Sequence, residues 1–305
     1  MSATVIIPVY NPDRNIKFLI ESLFKQTEKL KIFIIDSGND HKWRDEITAS
    51  ENLKIVSIPS GSFNHGRTRN LAVELSQERS IIIFMTQDTM PVAADSLEKL
   101  IKPIKKGECD ATYGRQIADL KVSFDDYIDR NINYPQYDII KDKNTQSVLG
   151  IKTYFFSNAF SAVSRKSFEA AGGFPDNTIM NEDMLLSFRI IQNGGRILYV
   201  SEAEVHHTHA FGLDKLFKRY FDHGVFFTNE SQTFKGLKKG SQGIRVVIMQ
   251  IKFAKKIKKI KLIPGILLRS AVKLMAFHIG RNHRLISVGL KKKLSLHSKY
   301  WESNA

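Results

Sequence analysis

Residues 80–91 read SIIIFMTQDTMP. Five apolar residues, Ile81 to Met85, run straight into Thr86-Gln87-Asp88. An unbroken apolar run of this length predicts a strand buried on both faces, as in a parallel sheet. The polar triplet then falls at the C-terminal end of that strand. Open α/β sheets take ligands in the crevice beyond such ends. Asp88 is therefore either an acid placed for a phosphate-bound metal or a loop aspartate opening the turn before Pro91.

Working outward, the same pattern repeats. Residues 4–9 (TVIIPV) predict a first strand. Ile16, Leu19, Ile20, Leu23 and Phe24 recur at helical spacing over 14–26. Residues 31–36 (KIFIID) predict a second strand ending in an acid, followed by the turn Ser37-Gly38-Asn39-Asp40. A short strand over 54–58 and a helix over 66–75 lead up to the opening stretch. Downstream, a helix runs from beyond Pro91 to Lys105, then a strand covers 110–116. Residues 118–150 are too mixed in polarity to assign. A strand over 160–163 precedes a short helix over 166–171, stopped by Gly172-Gly173. The helix over 181–192 places Met184, Leu185, Phe188 and Ile191 on one face and ends at Gly194-Gly195. A strand over 196–200 follows, and residues 204–209 lead into a helix from about Leu213. Strand alternating with helix indicates βαβ units and an α/β fold around a mostly parallel sheet.

Composition narrows the class. At 305 residues and 42% hydrophobic, the chain can bury a large core. Its one cysteine, Cys109, excludes an internal disulfide and a cysteine-based zinc site, and fits a reducing compartment. The start, MSATVIIPVYNP, enters a strand without a basic segment and long apolar run, so no signal peptide is expected. Charge is uneven. Residues 231–305 hold eighteen Lys and Arg against one acid, Glu302, which is +17, while residues 1–230 carry −2. Such asymmetry points to an anionic partner surface.

Neither a G-x-G-x-x-G nor a G-x-x-x-x-G-K-(S/T) motif is present. A nucleotide held here would need a cation on a carboxylate together with Arg or Lys. Polar groups end three predicted strands: Tyr10-Asn11, Asp36-Ser37-Gly38 and Gln87-Asp88. They would line one cleft.

Six blocks in this order resemble the family-2 glycosyltransferases: VIIPVYN at 5–11, DSG at 36–38, FNHGRTRN at 63–70, TQDTMP at 86–91, NEDMLLSFR at 181–189 and VHHTHAF at 205–211. The pair F-(D/N)-H-G-x-T-R-N and T-Q-D-x-x-P is similar to the bacterial rhamnosyltransferase branch. The resemblance covers about residues 3–230 and implies the inverting GT-A fold. One departure stands out: the usual metal motif is Asp-x-Asp, and here Thr86 takes the first place.

The resemblance implies that Asp36 contacts the nucleobase, whose ring N–H a carboxylate can accept. It places Pro8, Tyr10, Asn11, Arg67, Arg69, Gln87 and Asp88 around the nucleotide sugar. Arg67 and Arg69 lie near a helix N-terminus, which itself favours anions. His65 is a further donor contact or a packed loop histidine. Asp183 is implied as the general base, with Glu182 supporting it or the acceptor. An inverting transfer needs one carboxylate to take the acceptor's proton. On residues alone, both acids complement the dipole of a helix capped by Asn181. A divalent metal, Mn²⁺ or Mg²⁺, would sit on Asp88 and His207, with His209 as the alternative ligand.

Residues 244–262 (IRVVIMQIKFAKKIKKIKL) alternate apolar and basic. Ile244, Val247, Ile251 and Ala254 can share one helical face. A basic amphipathic helix is either a membrane-surface element or a helix packed on the body with a solvated lysine face. Residues 262–279 are interrupted by Pro264, Arg269, Lys273 and His278, so no membrane span is expected. The expected division is a catalytic domain over 1–230, with its nucleotide-sugar half at about 1–117 and its acceptor half at 118–230, then a basic, mainly helical region over 231–305. The expected activity is inverting transfer of L-rhamnose from a dTDP- or UDP-sugar to a lipid-linked or polysaccharide acceptor of a bacterial surface polysaccharide, O-antigen or capsule. The expected location is cytoplasmic, peripheral on the inner membrane face through residues 236–299. The alternatives are a nucleic-acid- or membrane-binding protein acting through the basic tail, and an inactive scaffold of the same fold. Nucleic acid is not expected, because the tail lacks interleaved aromatics.

Overall fold

The computed structural model describes residues 2–76, 80–237 and 242–303. Lys238 and Lys239 of the basic tail lie outside the described residues. Packing divides the chain into two compact units. Unit 1 takes in Met1–Asp119, Asn133–Asp176 and Glu182–Thr208; unit 2 takes in Leu120–Ile132, Asn177–Asn181 and His209–Ala305. These units do not follow a single cut near residue 230.

The first half matches the periodicity closely. In order come β1 (Ala3–Val9), α1 (Asn15–Phe24), β2 (Leu30–Asp36), β3 (Leu53–Ser57), α2 (His65–Leu75), β4 (Ile81–Met85), β5 (Met90–Pro91), α3 (Ser96–Lys105) and β6 (Ala111–Ile117). The unassigned stretch holds α4 (Phe124–Asn133), β7 (Ile139–Lys141) and α5 (Gln146–Leu149). Then follow β8 (Phe160–Ser164), α6 (Arg165–Ala170), α7 (Glu182–Gln192) and β9 (Ile197–His206). The C-terminal helices are α8 (Leu213–Asn229), α9 (Gln242–Lys256), α10 (Ile263–Arg281), α11 (Val288–Leu294) and α12 (Tyr300–Ser303).

Among the described residues nine strands join one sheet of unit 1, ordered β3-β2-β1-β4-β8-β6-β9-β5, with β7 also on β9. Pairing is parallel from β3 through β4 and again between β6 and β9. β8 enters antiparallel between β4 and β6, and β5 and β7 pair antiparallel with β9. The parallel expectation thus describes the first four strands, and the rest of the sheet is mixed. Every residue of β4 is fully buried, as its unbroken apolar run demands. β9 outruns its expected end at Val200 because its register on β6 shifts between Gly114 and Arg115. Asp138 anchors this irregularity by accepting from Ser201 N (2.8 Å) and Oγ (2.7 Å).

Register brings the polar strand ends to one edge. Val9 pairs with Asp36, Ile6 with Phe84, Met85 with Phe160, and Ile117 with His206. Because β8 runs antiparallel to β4, its N-terminal end reaches the edge where β1, β2, β4, β6 and β9 finish.

Unit 2 is helical. A Cβ on Gly280 of α10 would come 2.0 Å from Phe221 O on α8, and one on Gly224 would meet Phe277 O at 2.2 Å, so only glycine permits this crossing. Acids of α4 hold the other helices: Asp125 pairs with Arg269, and Asp129 accepts from Lys273 Nζ (3.3 Å) and Gln250 Nε2 (3.1 Å). Of the four residues expected on one face of α9, Ile244 faces solvent while Ala254 turns inward, beside Gln250. Pro264 does not break the apolar segment, because it sits in the first turn of α10, where its missing N–H costs nothing. By length and composition Ile260–Arg281 could cross a membrane, its most apolar 18-residue window having a mean hydropathy of 1.5, but Arg269, Lys273 and His278 lie within it.

Candidate active site

The edge is cross-linked before it offers anything to a ligand. Gln87 clasps β1: its Oε1 accepts from Tyr10 N at 2.8 Å and its Nε2 donates to Tyr10 O at 3.3 Å. The Tyr10 side chain remains exposed. Asn11 adopts a left-handed φ of 38°, and its Oδ1 accepts from Asn39 N (2.9 Å) and Asp40 N (3.3 Å). Pro8 lies on β1 opposite Ile35. Gln87 and Asn11, both expected around the nucleotide sugar, therefore also hold the loops that frame the cleft.

Asp36 is completely buried. Its Oδ1 accepts from Gly38 N at 2.8 Å; its Oδ2 accepts from Arg44 Nε at 3.2 Å and meets His41 Nδ1 at 2.9 Å. Burial works against its charge, but the hydrogen bonds from Arg44, Gly38 and His41 outweigh it and hold the carboxyl below its usual range. Arg44 also reaches Ser57 Oγ (2.7 Å), tying the end of β2 to that of β3. Neither Arg44 nor His41 carries a sequence signal. Both partners of Asp36 became visible only in the fold.

A carboxylate and an imidazole meet beside β4. Asp88 Oδ2 lies 3.4 Å from His207 Nε2. His207 is buried, and its Nδ1 lies 2.8 Å from Gln116 Oε1. An amide oxygen only accepts, so Nδ1 donates to it and Nε2 is turned toward Asp88. Gln116 is held in turn by donating to Ser157 Oγ at 2.8 Å. A ring N–H fixed by an amide, with the other nitrogen facing a carboxylate, is the usual arrangement behind a metal-bound histidine. The residues present therefore fit a divalent cation. Thr86 explains the single acid: its Oγ1 is buried without a hydrogen-bond partner, and a carboxylate there would lose its hydration. His206 is exposed at the end of β9. His209 belongs to unit 2, where its N–H donates to Asp126 Oδ2 (2.9 Å) and its ring stacks on Phe211.

The third cluster opens α7. Arg69 Nη1 lies 3.0 Å from Glu182 Oε1 and also donates to His65 O at 2.8 Å. Both Arg69 and Glu182 are buried. This departs from the expectation that Arg69 faces a diphosphate: α2 points it inward, where an unpaired guanidinium would be too costly. Arg67 is the exposed one, its Nη2 donating to Ser62 O at 3.3 Å. The N-terminal amides of α2 are also taken, since Asn64 Oδ1 accepts from Gly66 N and Arg67 N. His65 packs edge-on against Phe63. Gly66 is required because a Cβ would meet Pro175 O at 2.3 Å.

Asn158, two residues before the start of β8, binds both acids. Its Nδ2 donates to Glu182 Oε1 and its N to Asp183 Oδ2, each at 3.1 Å. Asp183 Oδ1 accepts from Met184 N at 2.8 Å. Burial opposes the charge on Glu182, yet Arg69, His65 and Asn158 prevail and hold it ionised. Burial together with the Glu182 charge pushes Asp183 up to about 7. Neighbouring carboxylates driven apart in this way mark an acid–base site. Asn181, the expected N-cap, has a left-handed φ of 58°, and its amide nitrogen lies 3.5 Å from His223 Nδ1.

The model of the family described as Glycosyl transferase family 2 matches residues 4–172. The chain belongs to that family. Over 307 residues this glycosyltransferase is 34% identical to the O-antigen chain rhamnosyltransferase RfbN of Salmonella typhimurium, with 99% of this chain and 97% of the relative covered. It is equally similar, at 34%, to the O-antigen chain rhamnosyltransferase WbaN of Salmonella anatum, covering 99% and 96%. Among solved structures, the mannosyltransferase PcManGT from Pyrobaculum calidifontis, in complex with GDP-Man and Mn²⁺, superposes with a TM-score of 0.56 at 15% identity, covering 99% of this chain and 83% of that one. S. aureus TarS 1–349 with UDP-GlcNAc gives 0.53 at 16% identity, covering 93% and 91%. These structural likenesses show the GT-A type of fold expected from the motifs.

Proposed function

We propose that this family 2 glycosyltransferase transfers L-rhamnose, with inversion, from a nucleotide diphosphate sugar to a saccharide acceptor in O-antigen synthesis. The paired carboxylates at the start of α7 carry the reading: one is held ionised by Arg69 and Asn158, the other is left able to exchange a proton near neutrality. The names of the two full-length relatives support rhamnose and O-antigen as the sugar and product class.

Asp183 takes the proton of the acceptor hydroxyl as that oxygen bonds to the anomeric carbon. The bond from that carbon to the diphosphate oxygen breaks, and the leaving nucleoside diphosphate keeps the electron pair. One base and no covalent intermediate suffice for inversion. Glu182 stays charged, sets the basicity of Asp183 and does not react. Asp88 and His207 would hold the divalent cation, Mn²⁺ or Mg²⁺, with Gln116 fixing the imidazole. When bound, that ion supplies positive charge to the departing diphosphate. Arg67 is exposed on the first turn of α2 and serves the donor, whereas Arg69 is committed to Glu182.

A panel of dTDP-, UDP- and GDP-sugars with a lipid-linked saccharide acceptor tests the assignment. Release of nucleoside diphosphate and glycosylated product from dTDP- or UDP-rhamnose is expected. Turnover with another sugar and none with a rhamnosyl donor would overturn the sugar assignment.

A further inference from the structure

Two helices of unit 2 carry apolar residues on their outer as well as their inner faces. In water an amphipathic helix turns its apolar side to the core and its charges to solvent. Helix α10 buries Ile266 and Ala276 yet keeps a second apolar stripe outside. Leu267, Leu268, Leu274 and Met275 recur at helical spacing and are each 51–61% exposed. The opposite side carries Arg269 and Lys273, paired with Asp125 and Asp129 of α4. On helix α9, Gln250 and Ala254 are buried, Gln250 donates to Asp129 and Phe253 packs on Phe124 and Tyr127 of α4, while Ile244 and Ile248 lie on the outer face. Both helices thus bring polar groups to Asp129 and leave apolar side chains exposed on the face away from it. Six lysines lie exposed between residues 252 and 261, at the junction of α9 and α10, and no acid occurs from residue 231 to 301.

We infer that the outer faces of α9 and α10 lie on an anionic lipid bilayer, with the leucine stripe in the headgroup layer and the lysine cluster on lipid phosphates. The apolar stripe explains why charge alone is not the design, and the lysines select an anionic surface. The helix lies on the bilayer and does not cross it. Although Ile260–Arg281 is long and apolar enough to span, crossing would carry the Arg269 and Lys273 ion pairs into hydrocarbon. This partner goes beyond the transferase reading and rests on unit 2 alone.

The test is sedimentation of the full-length protein with phosphatidylcholine vesicles and with vesicles that also contain phosphatidylglycerol. The protein is expected to bind the anionic vesicles, to be released by high salt or alkaline carbonate, and to ignore the neutral ones. Leu267→Glu/Leu268→Glu and Lys255→Glu/Lys256→Glu should each weaken binding at least about tenfold. Both pairs are exposed, and unchanged circular dichroism melts would show intact folding. Transfer to a soluble acceptor should be unchanged, which separates a failure here from a failure of the rhamnosyl assignment. Equal binding by the variants, equal binding to neutral vesicles, or resistance to carbonate would each overturn the inference. So would a wild-type dimer that the leucine variants convert to monomer without affecting vesicle binding, because a second copy would then cover the stripe.

Discussion

Arg69 and Glu182, 113 residues apart in sequence, form a buried ion pair at 3.0 Å. This pair connects the HGRTRN block to the acids of α7. It keeps Glu182 charged, and that charge, added to burial, raises Asp183 into the range where a carboxylate exchanges protons near neutral pH.

Arg69→Met should therefore damage stability as well as rate. It leaves Glu182 buried without its cation, which costs about 3–5 kcal/mol. Chemical denaturation is expected to show this loss, and Arg69→Met/Glu182→Gln should recover much of it. A stable single variant would show that the pair lies in a wetter place than the geometry implies.

Asp183→Asn should bind donor normally and lose transfer by about 10²–10⁴-fold. In the wild type, transfer should rise with pH through about 7, because the protonated acid cannot accept a proton. Stability runs the other way: the contribution from neutral Asp183 is full below its ordinary value near 3.8 and is lost as pH rises through about 7. Glu182→Gln should move the rate profile to lower pH. A profile that is flat from pH 5 to 9, as about the range in which such a base titrates, would remove Asp183 as the base.

Asp88→Ala should abolish Mn²⁺ binding at this site. Gln116→Met, which leaves the imidazole unheld, should weaken Mn²⁺ affinity about 10–100-fold. Calorimetric titration with Mn²⁺ alone measures both. Equal affinity in wild type and both variants would place the ion elsewhere.

Gly280→Ala should lower the melting temperature sharply, because the new methyl would enter Phe221 O across the α8–α10 crossing. A cost of about 1–3 kcal/mol or more is expected. An unchanged melting curve would mean that these helices separate easily.

Asp36→Asn should loosen the loop held by His41 and Arg44 and weaken donor binding together with stability. Because the charged form is favoured in the fold, this contribution is present above about pH 3.8 and fades as pH falls below that value. Acid unfolding curves of the two proteins should accordingly converge at low pH.

The sequence alone determined the strand β4, the alternation around it and the acids placed at strand ends. These features follow from local periodicity: five consecutive apolar residues have few alternatives to a doubly buried strand. The motif order was likewise enough for the family. What only the tertiary structure decided is how those side chains are used. Arg69 and Arg67 differ by two residues in one helix, yet one is buried against Glu182 and the other is exposed, because α2 turns them to different sides. Gln116, Asn158 and Arg44 carry no motif. They matter because long-range register brings β6, β8 and the loop after β2 to the edge where β4 ends. The same holds for α10: its composition reads as an interrupted apolar segment, and only the acids of α4 reveal which side faces inward. The run of isoleucines in SIIIFMTQDTMP is a local property, but the imidazole that Asp88 meets, His207, lies 119 positions away and is carried to its side by the sheet register.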